Sequence, residues 1–359
     1  MLQFILKRAY YGFLVLFGVA TVIFFLFNVL PGDPARMMLG QRADSASVAM
    51  INKDLGRDKS LPLQYISYIN DLSFLSIYNT ENTDSYWFLD KIKYDNSFKI
   101  AIIKSYSLVI KTPYLRRSYQ NKRSVSSILI EALPSTAVLA LVSMFFAVLV
   151  GIYLGVVSAI KKDSFFDKAT LVIGSIGMSL PSFFMAILVA WLFSFVLGKY
   201  TGLNMYGSMY SIDEMGNGEF FDIKNLILPA FTLSIRPLAV IIQLTRNSML
   251  EVMSQDYIRT ARAKGLKYKT VIIKHALKNA MNPVVTAISG WIASLMAGAV
   301  FVEYIFDWKG VGVVIVNALD KYDLPVVMGS VLMISVILVV VNIIVDILYG
   351  VLDPRIRLN

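Results

Sequence analysis

Apolar residues in this chain gather in long runs, not in alternating or narrow helical stripes. Runs of spanning length fall at about 9–30, 133–160, 169–197, 226–248, 281–302 and 325–350. Each is near or above the roughly 20 residues that cross a hydrocarbon core of about 30 Å at 1.5 Å per helical residue. Inside such a core every backbone N–H and C=O must find its partner within the protein, so each run predicts a membrane-spanning helix. The first follows Lys7 and Arg8. It outlasts the roughly 7–15 apolar residues of a signal-peptide core and ends on no small-x-small site, which predicts a retained helix. The third contains Pro181 in Gly-Met-Ser-Leu-Pro-Ser. The missing N–H predicts a kinked helix whose freed carbonyl is re-satisfied by Ser179 or Ser182 or by a neighbouring helix.

Between the runs the basic residues are unevenly shared. With a cytoplasmic N-terminus, the inner segments hold Lys7, Arg8, Lys161, Lys162, Lys168, Arg246, Arg259, Arg262, Lys264, Lys267, Lys269, Lys274, Lys278, Arg355 and Arg357. The short outer loops, about 198–225 and 303–324, hold Lys199, Lys224, Lys309 and Lys321. This asymmetry predicts that both termini are cytoplasmic. The long outer segment, 31–132, is too large for its charges to set topology. It carries its own helix signals, Asp44 and Ser45 ahead of Val48, Met50, Ile51 and Leu55, then Pro62 to Leu72. A small folded domain is expected there. Tyr65, Tyr68, Tyr78, Tyr86, Tyr94, Tyr106, Tyr114 and Tyr119, with Trp87, suit either a lid packed on its own bundle or a docking surface.

Composition agrees with a membrane protein: of 359 residues, 57% are apolar and 16% charged, and the mean hydropathy is +0.63. With no Cys and one His, His275, the chain has no inventory for a thiolate or His-rich metal site or a Cys nucleophile. The net charge of +10 is largely absorbed by topology, so no nucleic-acid partner is expected. No internal repeat is visible.

The inner loop between the fourth and fifth runs carries the densest pattern. Ser254-Gln-Asp-Tyr-Ile-Arg-Thr-Ala-Arg-Ala-Lys-Gly265 predicts a short helix with an acidic start, a basic end and Gly265 as left-handed cap. A second helical pattern through Val271, Ile272, His275, Ala276 and Asn279 leads to Asn282-Pro283 and the fifth run. On the first helix Tyr257, Ile258 and Ala261 form an apolar and small strip flanked by Arg259, Arg262 and Lys264. On these residues alone two readings stand: a basic helix against anionic membrane lipid, and a docking helix for an acidic partner groove. In the fourth run Arg236 is costly, about 2.5–3.5 kcal/mol at a helix centre. It should face protein or water, either as a pathway residue or bonding carbonyls freed at Pro237. Asp346 reads as structural, reaching the inner interface. Glu303 and Asp307 read as shaping the turn after the fifth run. Ala293-x-x-x-Ala297 and Ser294-x-x-x-Gly298 allow close helix approach, within the chain or to a second subunit.

Asp256-Tyr-Ile-Arg-Thr-Ala-Arg-Ala-Lys-Gly-Leu266, followed by Lys274-His-Ala-Leu-Lys-Asn-Ala-Met-Asn-Pro-Val284, resembles the cytoplasmic loop of permease subunits of dipeptide, oligopeptide and nickel ABC importers. Leu30-Pro-Gly-Asp-Pro34, Leu133-Pro-Ser-Thr136, Ser179-Leu-Pro-Ser-Phe183, Val302-Glu-Tyr-Ile-Phe306, Gly310-Val-Gly312 and Leu352-Asp-Pro-Arg-Ile-Arg357 are similar to that family in order. The resemblance covers nearly the whole chain apart from about 73–115. Two positions depart: Arg259-Thr-Ala261 then Gly265 replaces the broad importer Glu-Ala-Ala then Gly, and Lys309 stands where a Pro is common.

The resemblance implies an all-α polytopic membrane protein of the type I ABC importer permease fold, with six transmembrane helices and an extracytoplasmic domain between the first two. Its divisions would be 1–30, the N-terminal segment and first helix; 31–132, the outer domain with an insertion at 73–115; and 133–359, a five-helix core with a coupling loop at 249–280. Asp256, Tyr257, Arg259, Thr260, Ala261, Arg262, Ala263, Lys264, Gly265 and Leu266 would couple to an ATPase. Ser179, Pro181, Ser182 and Arg236 are pathway candidates, and no residue is catalytic or metal-ligating. The implied partners are a second homologous permease, two ATPase subunits that carry ATP and Mg, and an extracytoplasmic substrate-binding protein. No cofactor is expected on this chain, which lacks a phosphate loop, since Gly198-Lys199 is followed by Tyr200. The rivals are a self-sufficient ion-coupled secondary transporter, which would need mid-membrane acids not evident here, and a membrane enzyme, for which no catalytic constellation is present.

Overall fold

The computed structural model describes residues 2–29, 44–54, 57–82, 85, 87–90, 93–94, 97–213 and 218–352. Leu30 to Pro34, Tyr86, the end of the 352–357 motif and the side chains of Ala297 and Gly298 lie outside the described residues. The chain divides into two compact units, one of Met1–Ala9, Ala132–Val313 and Val336–Asn359, the other of Tyr10–Glu131 and Val314–Ser335.

Among the described residues four helices are long and apolar enough to cross a membrane: α1 (Leu2–Val29), α4 (Val125–Ile160), α7 (Ile223–Met253) and α11 (Leu324–Leu352). The count rises to six if each of two bent pairs is one span. One pair is α5 (Phe165–Ser179) with α6 (Ser182–Ala190), which runs on as a π-helical stretch, Trp191–Val196. The other begins at Tyr268–Thr270, passes through π-helical Val271–Leu277 into α9 (Lys278–Gly298), and bends by 57° into α10 (Val300–Phe306).

The third run is broken, not kinked: α5 and α6 meet at 110°. Pro181 has no N–H and forces the residue before it out of the helical region. Leu180 is accordingly extended at φ −80, ψ 137, and α6 restarts at Ser182. Ser179 spends its hydroxyl on the Ser175 carbonyl at 2.8 Å, so it does not repair the break. α4 starts at Val125, earlier than the apolar run implied, because Ser124 Oγ accepts the Ser127 N–H at 3.1 Å and opens the helix there. Pro134 therefore lies inside it.

In the Tyr10–Glu131 unit, α2 (Ser45–Asp54) begins where Asp44 accepts the Ser47 N–H at 3.2 Å. α3 (Leu61–Leu72) packs Tyr68 against Phe24, Met328 and Leu332, and Tyr65 hydrogen-bonds Thr21 at 2.7 Å. An all-α reading fails in this unit. β1 (Leu75–Asn79), β2 (Ser97–Ile103) and β3 (Tyr106–Lys111) form an antiparallel sheet in the order β1-β3-β2, with Leu75 opposite Ile110 and Ile110 opposite Phe98. The period of two is masked by which residues are buried. Ser107, Val109 and Lys111 face in, while Tyr106 and Ile110 face out, so polarity does not track burial along β3. A register shift between Lys99 and Ala101 disrupts β2 as well.

Lys111 is buried and donates to the carbonyls of Asp71 at 2.5 Å and Ser73 at 3.3 Å. Tyr94 donates to the Asp71 carboxylate, and Lys93 pairs with its other oxygen at 3.5 Å. Burial pushes the Lys111 amine down to about 8, partly offset by Asp71. The same burial raises the Tyr94 and Tyr78 phenols well above their ordinary range.

In the other unit α7 is the central helix, packed on α5, α6 and α9. A Cβ on Gly151 would stand 2.8 Å from Ile241, and one on Gly155 2.6 Å from Thr245, so a glycine every fourth residue lets α4 reach α7. The turn after α10 is fixed from inside. Glu303, fully buried, accepts the Gly312 N–H at 2.6 Å, Thr136 Oγ1 accepts the Val311 N–H at 2.9 Å, and buried Trp308 donates Nε1 to the Ser135 carbonyl at 2.8 Å. Glu303 thus shapes the turn as its position indicated. Asp307, at φ 52, caps α10 in the left-handed region. Asp346 pairs with Arg8 at 3.1 Å.

Candidate functional site

Two sites emerge, one on the loop after α7 and one at the break between α5 and α6. The loop site is built on α8 (Asp256–Ala263). Gln255 precedes it in extended conformation, Asp256 complements its positive end and Arg262 its negative end. Gly265 follows at φ +75, where a side chain would be strained. Ile258 and Ala261 are buried against Met249, Val271, Ile272 and Ala276 of the same chain. The strip read as a partner-facing surface therefore splits: Ile258 and Ala261 anchor α8 to its own permanent neighbours, and Tyr257 stays out. A short helix has one apolar face, and here the following helix covers it. Asp256, Tyr257, Arg259, Thr260, Arg262, Ala263, Lys264, Gly265 and Leu266 are all exposed. Tyr257 is held by Asn279, whose Nδ2 donates to its hydroxyl at 3.0 Å. Arg262 lies over the Tyr268 ring at 5.8 Å.

The second site is a recess of about 120 Å³ lined by Gly177, Leu180, Ser182, Met185, Thr232, Leu233, Ile235, Arg236, Trp291, Ser294 and Leu295. Two pathway candidates, Ser182 and Arg236, meet there, while Ser179 and Pro181 are not among its lining. Arg236 Nη2 donates to the Leu180 carbonyl at 3.1 Å, so the arginine repairs the break at Pro181 and not the carbonyls near Pro237. Gly177 admits this approach, since a Cβ there would sit 2.7 Å from Ile235.

Other polar positions extend from this recess. On α7, Arg236, Gln243 and Asn247 are spaced by seven and four and share a face; Arg236 and Asn247 are exposed and Gln243 is half-buried. On α9, Asn282, Thr286, Gly290 and Ser294 recur every fourth residue and are exposed, while Ala293 is buried in the core. An exposed polar stripe on an apolar helix is disfavoured against lipid. The sequence reading missed Gln243, Asn247, Thr286 and Trp291, although the spacing from Arg236 was available to find the first two. Among the described residues no group of three or more His, Asp or Glu could hold a metal ion.

Comparison with known proteins decides the family. A family model described as the binding-protein-dependent transport system inner membrane component matches residues 151–358, and a model of the N-terminal part of such membrane components matches residues 1–88. The chain belongs to this family. As a permease it is 36% identical to the dipeptide transport system permease protein DppB of Escherichia coli (strain K12), over 99% of both chains. It is 35% identical to the di/tripeptide transport system permease protein DppB of Pseudomonas aeruginosa (strain UCBPP-PA14), again over 99% of both. The dipeptide permease DppB of Alkalihalophilus pseudofirmus is 32% identical over 99% of this chain and 100% of its own. A solved inward-facing MetNI methionine ABC transporter matches with a TM-score of 0.50 at 16% identity, covering 64% of this chain and 97% of that one. The fold is that of a type I ABC importer permease, and the protein is a multi-pass component of the inner membrane.

Proposed function

We propose that this permease forms half of the translocation pathway for short peptides in an ATP-driven importer. Each bent pair is one span, giving six, with both termini cytoplasmic and residues 31–132 forming an extracytoplasmic domain in which 73–115 is an insertion. A second homologous permease supplies the other half, and an extracytoplasmic binding protein delivers the peptide. Two ATPase subunits hold ATP and Mg, and this chain carries neither. The exposed face of α8, residues 256–266 apart from Ile258 and Ala261, seats in a groove of one ATPase and transmits its closure to α7 and α9, which form the pathway wall. The observation that carries this reading is the full-length identity to dipeptide and di/tripeptide permeases, supported by the charged, solvent-facing α8 capped at Gly265.

The test is purification from native membrane in mild detergent, with identification and stoichiometry of every co-purifying polypeptide, followed by uptake in liposomes. Recovery of a second permease with two ATPase copies, and ATP-driven dipeptide uptake once binding protein is added, is the expected result. A stable lone chain whose uptake follows an ion gradient and ignores ATP would replace this reading with the secondary transporter.

A further inference from the structure

Among the described residues, Arg236 is an intramembrane cation without a counter-ion. Among the described residues no Asp or Glu oxygen lies within the 4.0 Å that defines an ion pair. A guanidinium carries five N–H donors, and Nη2 is engaged with a neutral acceptor, the Leu180 carbonyl at 3.1 Å. The group lines a recess of about 120 Å³ with the hydroxyl-bearing Ser182 and Ser294 and the ring of Trp291, enough for the end group of a peptide but not for a whole one. Ionisable residues in membrane segments face the bundle interior or a water-filled cavity, pair with backbone carbonyls where no charge is near, and mark substrate pathways. A bidentate carboxylate fits a guanidinium fork better than a lone carbonyl does.

We propose that Arg236 receives the C-terminal carboxylate of the passing peptide, with Ser182 and Ser294 as neighbouring hydroxyl donors. This assignment rests on the peptide reading above. Binding exchanges the Leu180 carbonyl for the carboxylate, and Leu180 sits in the 110° break between α5 and α6. Arrival of cargo therefore loosens the tie between α7 and that break. Gln243 and Asn247, farther along the same face of α7, continue the polar track for the peptide amides.

The test uses the complete transporter in liposomes, with dialanine as cargo and Arg236→Lys and Arg236→Gln in this chain. Gln keeps a donor for the Leu180 carbonyl but loses the charge; Lys keeps the charge. Arg236→Gln should cut uptake about tenfold or more, the value of one charge-assisted hydrogen bond, while binding-protein-stimulated ATP hydrolysis persists; Arg236→Lys should retain a third or more of uptake. Wild-type uptake in Arg236→Gln, or equal losses in both variants, would overturn the assignment. Should neither variant assemble, the unmodified complex serves: dialanine should slow phenylglyoxal modification of Arg236, read by mass spectrometry, and its C-terminal amide should not. Equal protection by both, or by neither, would also overturn it. A wild-type complex that hydrolyses ATP but carries no peptide overturns the peptide reading itself, and this inference with it.

Discussion

Arg246 grips Asp167 with two parallel hydrogen bonds, Nε to Oδ1 at 2.6 Å and Nη2 to Oδ2 at 2.7 Å, joining α7 to the first turn of α5. Ser158 of α4 donates to the same carboxylate, and so does the Asp163 N–H at 2.9 Å. Three helices therefore share one buried anion. Removing one member of a buried pair strands the other and costs about 3–5 kcal/mol. Asp167→Asn and Arg246→Met are each expected to lower the unfolding temperature in mild detergent and the amount recovered from membranes. Arg246→Lys should be intermediate, since an ammonium cannot span both oxygens. Unchanged melting in Asp167→Asn would show that the clamp is dispensable.

Gly151 and Gly155 make a second tie between α4 and α7. An added side chain at Gly155 meets the Thr245 side chain and the Ile242 carbonyl, both under 3.0 Å from the Cβ. Backbone cannot give way as a flexible side-chain end can. Gly155→Leu is expected to destabilise the helix pair by about 1–3 kcal/mol or more, whereas Gly18→Leu, where a Cβ meets nothing within 4 Å, should be neutral. Thermal melts of the two purified variants side by side make the comparison.

Under the proposed docking of α8 on an ATPase, its buried and exposed faces should separate stability from association. Ala261 is buried among Ile258, Val271 and Ala276, so Ala261→Asp places an unpaired carboxylate in an apolar contact and should reduce folded protein before any partner is met. Thr260 and Lys264 are exposed. Thr260→Glu with Lys264→Glu should leave abundance and melting unchanged while weakening ATPase association, about tenfold or more for a reversed charge complement. Pull-down of the ATPase with purified variants reads both; undiminished association would remove this face from the interface.

The sequence made these elements legible to different depths. Apolar runs betray spanning helices because lipid demands length and continuity, and caps such as Asp44 and Gly265 announce themselves locally. Pro181 was visible, but the partner of the carbonyl at its break was not, because the guanidinium of Arg236 arrives from 56 residues away to hold Leu180. The inward turn of Ala261 was equally hidden, since periodicity identifies an apolar face without naming what covers it. The sheet escaped because a lysine and a serine occupy its buried side. Asp167 and Arg246, 79 positions apart, read as ordinary loop and helix charges until the fold joins them.

That buried lysine gives the Tyr10–Glu131 unit a pH signature. Lys111 falls to about 8 in the folded protein from an ordinary 10.5, so between these values the unfolded chain holds a proton that the folded one has shed. Stability rises with pH wherever the unfolded state binds more protons; the penalty of burying the ammonium is complete below pH 8 and fades as pH climbs toward 10.5. Tyr78 and Tyr94 act with the opposite sign. Their phenols are raised above the ordinary 10.0, mainly by burial, so their contribution is whole below pH 10 and is lost above it. The unit should therefore gain resistance to unfolding from about pH 8 to 10 and lose it beyond. Lys111→Met should flatten the gain and keep the loss, because it removes the titrating amine while the phenols remain. Pulse proteolysis across a urea series at pH 7, 8, 9, 10 and 11, following cleavage within residues 97–111, measures both limbs. A midpoint that falls steadily from pH 8 upward in the unmodified chain would mean that Lys111 keeps its proton when folded, held by the carbonyls of Asp71 and Ser73.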